Sequence, residues 1–165
     1  MAVNQRSAEE LTTLIHRLQR QLRCIAQKID DPQGPGTAMQ GVMRVIGDHG
    51  EIRATELAEK LGIGTAGLSR HLSELVAMGY VSRRPHPGDG RAHLVSLTTA
   101  GTQAVAEEMR RRGAVLQHML EDWTEEEARS ASESLTRLTD TLQTSIRAMK
   151  PGTHPMPTPA GEDAK

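Results

Sequence analysis

The stretch Thr65–Arg91, TAGLSRHLSELVAMGYVSRRPHPGDGR, decides the fold. Leu68, Leu72, Leu75 and Val76 recur at three- and four-residue steps, which predicts a helix from Thr65 to about Met78 with those residues on its buried face. Thr65, Gly67, Ser69, Arg70, Ser73 and Glu74 fall off that face. Gly79 then stops the helix. Two short strands are expected over 80–85 and 92–97, joined by the turn chemistry of His86-Pro87-Gly88-Asp89-Gly90.

Working outward to the N-terminal side, Ala54 to Leu61 is a short helix and Gly62 ends it. Gly64-Thr65 then makes a tight turn into the next helix. Short helix, glycine turn and second helix with a polar N-terminal half form a helix-turn-helix, and the hairpin after it is a wing. Ile52-Arg53 is too short for an independent strand but could pair with that hairpin. Thr37 opens a helix carrying Met39, Val42, Met43 and Ile46 on one face. Before it lies a long amphipathic helix with Leu11, Leu14, Leu18, Leu22, Ile25 and Ile29 on its stripe. Ser7 and Glu10 have capping-box spacing at its start, and Pro32 ends it.

On the C-terminal side, Thr98 or Thr99 caps a fifth helix running to about Leu120, with Arg110-Arg111-Arg112-Gly113 interrupting its apolar positions. Thr124-Glu125-Glu126-Glu127 is a second capping box. The sixth helix carries Ala128, Leu135, Leu142 and Met149 at seven-residue steps, a seam suited to helix-on-helix packing.

The expected fold is mainly α with a small β-hairpin wing. Residues 1–7 read as a flexible N-terminus, 8–36 as an N-terminal dimerisation helix and 37–97 as a winged helix-turn-helix lobe. Residues 98–149 read as C-terminal dimerisation helices, and the Pro-rich, aperiodic 150–165 as a disordered tail. A helix of some 20 residues is about 30 Å long and overhangs so small a lobe. Intertwining with the same helices of a second chain covers it, so a homodimer is expected.

Composition narrows the function classes. The 165 residues include no Phe, one Tyr and one Trp, so the core must be aliphatic. The formal net charge is −1, so a nucleic-acid partner requires a local basic patch. The opening stretch supplies one, with Arg70, Arg83, Arg84 and Arg91 against Glu74 and Asp89. No apolar run approaches a membrane span and no signal-peptide centre is present, which reads as cytoplasmic with no membrane partner. No nucleophile–base spacing, paired carboxylates or phosphate loop points to an enzyme, and no cofactor is expected. Gly88-Asp89-Gly90 is a hairpin tip and not a strand-to-helix phosphate loop. The single cysteine, Cys24, excludes an intramolecular disulfide. None of the seven histidines pairs with another at the i, i+4 ligand spacing. A redox- or metal-responsive regulator using Cys24 or histidines is nonetheless an alternative, as is a winged-helix protein–protein interaction module.

Residues Thr55–Gly101, TELAEKLGIGTAGLSRHLSELVAMGYVSRRPHPGDGRAHLVSLTTAG, resemble the multiple-antibiotic-resistance regulator (MarR) family of winged-helix transcription factors. The matching positions are Leu57-Ala58; Ser69-Arg70, Leu75, Gly79 and Arg83; then Asp89, Arg91, Leu97, Thr98 and Gly101. The likeness extends over about Leu11 to Met149. It implies a triangular homodimer that represses from a pseudo-palindromic operator in double-stranded DNA, released by a small-molecule effector or an oxidant. The DNA-contacting candidates are Thr65, Gly67, Ser69, Arg70, His71, Ser73, Arg83, Arg84, His86, Asp89 and Arg91. Arg70 reaches base edges or phosphate. By resemblance Arg91 enters the minor groove, and Asp89 orients an arginine or forms the turn. The family's effector cavity lies between lobe and dimer helices, with His16, Arg17 and Met43 as candidate lining.

Overall fold

A computed structural model of the chain describes residues 3–29 and 34–149, with the side chains of Arg91 and Arg147 left outside that description. The expected stop at Asp30-Asp31-Pro32 and the tail 150–165 therefore lie outside the described residues. The chain divides after Met119 into two compact units.

The first unit runs α1 (Gln5–Ile29), α2 (Thr37–His49), β1 (Ile52–Arg53), α3 (Ala54–Leu61), α4 (Thr65–Ala77), β2 (Val81–His86), β3 (Asp89–Leu97) and α5 (Thr99–Met119). The three strands form one antiparallel sheet in the order β1-β3-β2. Ile52 pairs with Val95 and Arg53 with Leu94, so the two-residue strand does join the hairpin. The hairpin is longer than expected. His86 pairs with Asp89 after an irregularity at Pro85/His86, which leaves only Pro87-Gly88 in the turn. The Gly88 amide donates to His86 Nδ1 at 3.1 Å and fixes that shorter turn.

The core is aliphatic, as the near absence of aromatics requires. Val42, Met43 and Ile46 of α2 meet Leu57 and Ala58 of α3, Leu68, Leu72 and Leu75 of α4, and Ile52, Val81 and Val95 of the sheet. Val76 does not join them and is 40% exposed. At about 100° per residue it stands at the edge of the arc over Leu68, Leu72 and Leu75, in the last turn of the helix.

The start of α1 differs from the capping box expected at Ser7. The helix begins at Gln5, and Asn4 Oδ1 accepts the Ser7 amide at 2.8 Å. Asn is as good a cap as Ser and stands three residues earlier, so Ser7 takes a helical conformation. Residues 5–7 thus belong to the helix and not to a flexible lead-in. The stripe of α1 is used unevenly. Ala26 is buried and Ile25 and Ile29 half-buried, while Leu11, Leu14, Leu18 and Leu22 are 43%, 57%, 43% and 49% exposed.

Helix α5 is uninterrupted through Arg110–Gly113, because Glu108 collects the arginines. Arg111 Nη2 and Arg112 Nε donate to its two oxygens at 2.7 and 2.5 Å, and Arg112 Nη2 reaches Gln40 Oε1 on α2 at 2.5 Å. Glu108 and Gln40 are both buried. Burial alone pushes the Glu108 carboxyl up, but the hydrogen bonds and charges of Arg111 and Arg112 together outweigh it and hold the group below the usual carboxylate range. A carboxyl with a depressed folded pKa stabilises the fold above its unfolded value, here 4.5, and that contribution is lost as pH falls through the folded pKa. Glu108→Gln is expected to lower neutral-pH stability by about 1–2 kcal/mol, less than for a fully buried pair because the Arg111 and Arg112 side chains left behind are 42% and 27% exposed. It should also flatten the fall in stability below pH 4.5. Urea titrations at several pH values check this, and an acid limb as steep as in the parent protein would rule it out.

The second unit contains α6 (Glu125–Ala148). Its capping box is present. The Glu127 amide donates to Thr124 Oγ1 at 3.2 Å, and the Thr124 amide donates to Glu127 Oε2 at 2.8 Å. That backbone hydrogen bond and the Thr124 hydroxyl lower the Glu127 carboxyl pKa. Of the seven-residue seam, Ala128 is half-buried and Leu135, Leu142 and Met149 are exposed, while Ala131 and Leu138 between them are half-buried.

Candidate nucleic-acid interface

Helix α4 is seated by Leu68, Leu72 and Leu75, which fixes where its other residues point. Arg70 falls nearly opposite the buried arc at about 100° per residue. Thr65, Gly67, Ser69, Arg70 and Ser73 are all exposed. Nothing lies within 4 Å of where a Cβ would stand at Gly67, so the backbone there is open to a close ligand. His71 belongs to a different setting. It is half-buried on the flank of the helix, and its Nδ1 is buried without a hydrogen-bond partner. The first turn of α4 begins at Gly64 with no side-chain cap and no acidic residue, so its free amides and positive dipole end are uncompensated.

The arginines of the wing separate by strand parity. Arg83 shares the sheet face of Val81 and turns toward α4, where its Nη2 donates to the Ser69 carbonyl at 3.3 Å. Arg84 lies on the other face and forms a bidentate pair with Glu51, its Nε donating to Oε1 at 2.6 Å. The Arg84 hydrogen bond holds the Glu51 carboxyl below the usual range and raises the guanidinium pKa in turn. Half-buried His86 is placed beside Arg53, with Nη2 and Nε2 2.9 Å apart. Its Nδ1 also faces the Gly88 amide. A neutral imidazole accepts at one nitrogen only, so one of these two donors is satisfied at a time. Arg84 and His86 are thereby engaged in bracing β2 to the segment around β1. Asp89 is exposed at the start of β3, and Arg91 follows on the same strand.

The sequence reading missed the brace because Glu51–Arg84 and Arg53–His86 are each 33 residues apart. The period-two rule for strands was the available signal, since it puts Arg83 and Arg84 on opposite faces. Thr55 and His93 were missed as well. Together with Thr65, Ser69 and Arg83 they line a notch between α3, α4 and the sheet.

A second cavity, of about 100 Å³, lies between α2 and α5. Met43, Arg44, Tyr80, Val105, Glu108 and Arg111 are among its lining. Met43 was expected there. His16 and Arg17 are not among the lining residues; both are exposed on α1. Cys24 is a free, exposed thiol on α1. Among the described residues, no three of His, Cys, Asp or Glu are grouped to hold a metal ion, and no helix is long and apolar enough to cross a membrane.

Comparison with known proteins matches residues 41–92 to the model of the MarR family. An HTH-type transcriptional regulator of Mycobacterium bovis, Mb0904, is 30% identical over 139 residues, covering 82% of this chain and 94% of the relative. Among solved structures, the "Multiple Antibiotic Resistance Repressor, MarR" superposes with a TM-score of 0.66 at 28% identity, covering 78% of this chain and 94% of that one. A cysteine-to-serine mutant of MarR from Escherichia coli, complexed with operator DNA, gives 0.61 at 26% identity, covering 83% and 99%.

Proposed function

The chain belongs to the MarR family of transcriptional regulators, a family of regulators and not of enzymes, and from that premise we propose that it represses transcription as a homodimer on a pseudo-palindromic operator in double-stranded DNA. The observation that carries this reading is the presentation of α4. A helix pinned by three leucines turns Arg70 straight outward, flanked by exposed Thr65, Ser69 and Ser73. The superposition on a relative held on operator DNA adds support.

In this reading Arg70 enters the major groove, and Arg91 on the wing grips the minor groove. Arg84 and His86 act as braces more than as direct contacts. Two copies of α4 about 34 Å apart read the two half-sites, held by the segments 8–36 and 98–149 of both chains. The cavity between α2 and α5 takes the small effector that loosens the dimer from DNA. The site of action is the cytoplasm.

Binding sites selected from a random DNA pool test the reading. Arg70→Ala should relax base preference at one position per half-site, with a loss of about 1–3 kcal/mol. Arg91→Ala should weaken all sequences alike and reduce the salt slope by about one. If neither variant altered binding to the selected site, this docking would be wrong. Recovery of a protein partner with no enrichment of DNA would favour the interaction-module reading.

A further inference from the structure

The notch between α3, α4 and the sheet has a chemistry that the recognition helix and wing tip do not account for. Its floor is aliphatic side chain from α4. The polar residues among its lining, Thr55, Thr65, Ser69, Arg83 and His93, are all exposed and so stand at its rim. No carboxylate lines it. Arg83 spends one N–H on the Ser69 carbonyl, at 3.3 Å, which leaves its other donors free to face a ligand. The uncapped first turn of α4 begins at the same rim, with Thr65 as its first residue.

We propose that this notch is the seat of one DNA backbone phosphate, and that Thr55 and His93 are therefore DNA contacts in addition to the recognition helix and wing. The proposal rests on the DNA-binding reading above. The donors come from three elements, α3, α4 and the sheet, so a phosphate bound there would lock the α3–α4 turn and the wing in one relative position. Donors of this kind, with a cation and helix amides, are what a phosphodiester takes. The aliphatic floor suits the face of the adjoining deoxyribose. A contact of this type sets register and carries no base preference.

The test is a single-phosphate scan. The probe is a DNA duplex carrying a site selected by this protein from a random pool, with one backbone phosphate at a time replaced by a neutral methylphosphonate. With the parent protein, the phosphate seated in the notch should be among the sensitive positions of each half-site, its replacement costing roughly tenfold in affinity, the scale of hydrogen bonds to a charged group. Thr55→Val and His93→Gln should each weaken the unmodified duplex. At one sensitive position per half-site, the same for both variants, they should show little further loss, because the contact is already gone. Both side chains are outside the core, and a thermal melt of each variant checks that folding is intact. If the variants lose affinity equally at every substituted position, or lose none, the phosphate seat is overturned while DNA binding stands. If the parent protein selects no DNA, the reading on which the seat rests fails first and the seat falls with it.

Discussion

Gly101→Ala is expected to destabilise the winged lobe by about 3 kcal/mol or more, at or beyond the upper end for overpacking. A Cβ at this position would stand 2.0 Å from the Tyr80 carbonyl oxygen and 3.0 Å from its carbon. The obstacle is backbone, so no rotamer change relieves it. Nor can that backbone move away freely. The Thr98 amide donates to the Tyr80 oxygen at 3.0 Å, and Thr98 Oγ1 donates to the Gly79 oxygen at 2.7 Å. The same hydroxyl accepts the Gly101 amide at 3.0 Å and caps α5. Gly79 itself has φ 77°, a turn that suits glycine. Alanine at 101 must therefore break the stitch between the end of α4 and the start of α5, or displace α5 from the core. At this chain length the melting temperature should fall by roughly 6–12 °C. Gly41→Ala, in α2 with nothing within 4 Å of its Cβ position, should instead gain up to about 1 kcal/mol. Thermal and urea unfolding of the two variants settle the matter, and a Gly101→Ala protein as stable as the parent would refute the argument.

The second large effect concerns assembly. Leu14→Glu combined with Leu18→Glu is expected to convert the proposed dimer to monomer and to reduce affinity for a palindromic site by at least 10²-fold, the lower end of the gain from two linked contacts. These leucines are 57% and 43% exposed in the single chain, on the same stripe as Leu11 and Leu22. Each would bury roughly 1.5–3 kcal/mol of side chain against a partner. Glutamate is a good helix former, so α1 itself should persist. Sedimentation at micromolar concentration reads the mass, and DNA titration reads the affinity. A double variant that stays dimeric would show that the stripe of α1 is not part of the interface. Retention of full affinity by a monomer would show that the palindrome is not needed.

Between them these variants separate two kinds of information. The leucine stripe was legible from spacing alone. So was the buried arc of α4, because a period of 3.6 residues reports which face of a helix is apolar. The Thr124 capping box was legible for the same reason, since its partners are three residues apart. Where local signals competed, the choice went the other way at Asn4, whose carbonyl reaches the Ser7 amide first. Val76 shows a further limit: periodicity places a residue near the edge of a stripe but does not say how far the neighbouring elements extend to cover it.

Sequence by itself therefore determined the element order, the aliphatic core, the outward position of Arg70 and the local basic charge, because each follows from residue type and spacing within a few turns. Only the tertiary structure decided the rest. Strand register pairs Arg84 with Glu51 and leaves Arg83 facing Ser69. Helix packing brings Arg112 to Gln40 across 72 positions and closes Glu108 into a buried network. The turn after α4 sets the Tyr80 carbonyl where Gly101 must have no side chain. The notch that gathers Thr55, Ser69, Arg83 and His93 has the same origin. Contacts between distant residues depend on register and on the approach of whole elements. Those are fixed by the sum of packing across the core, which no local period records.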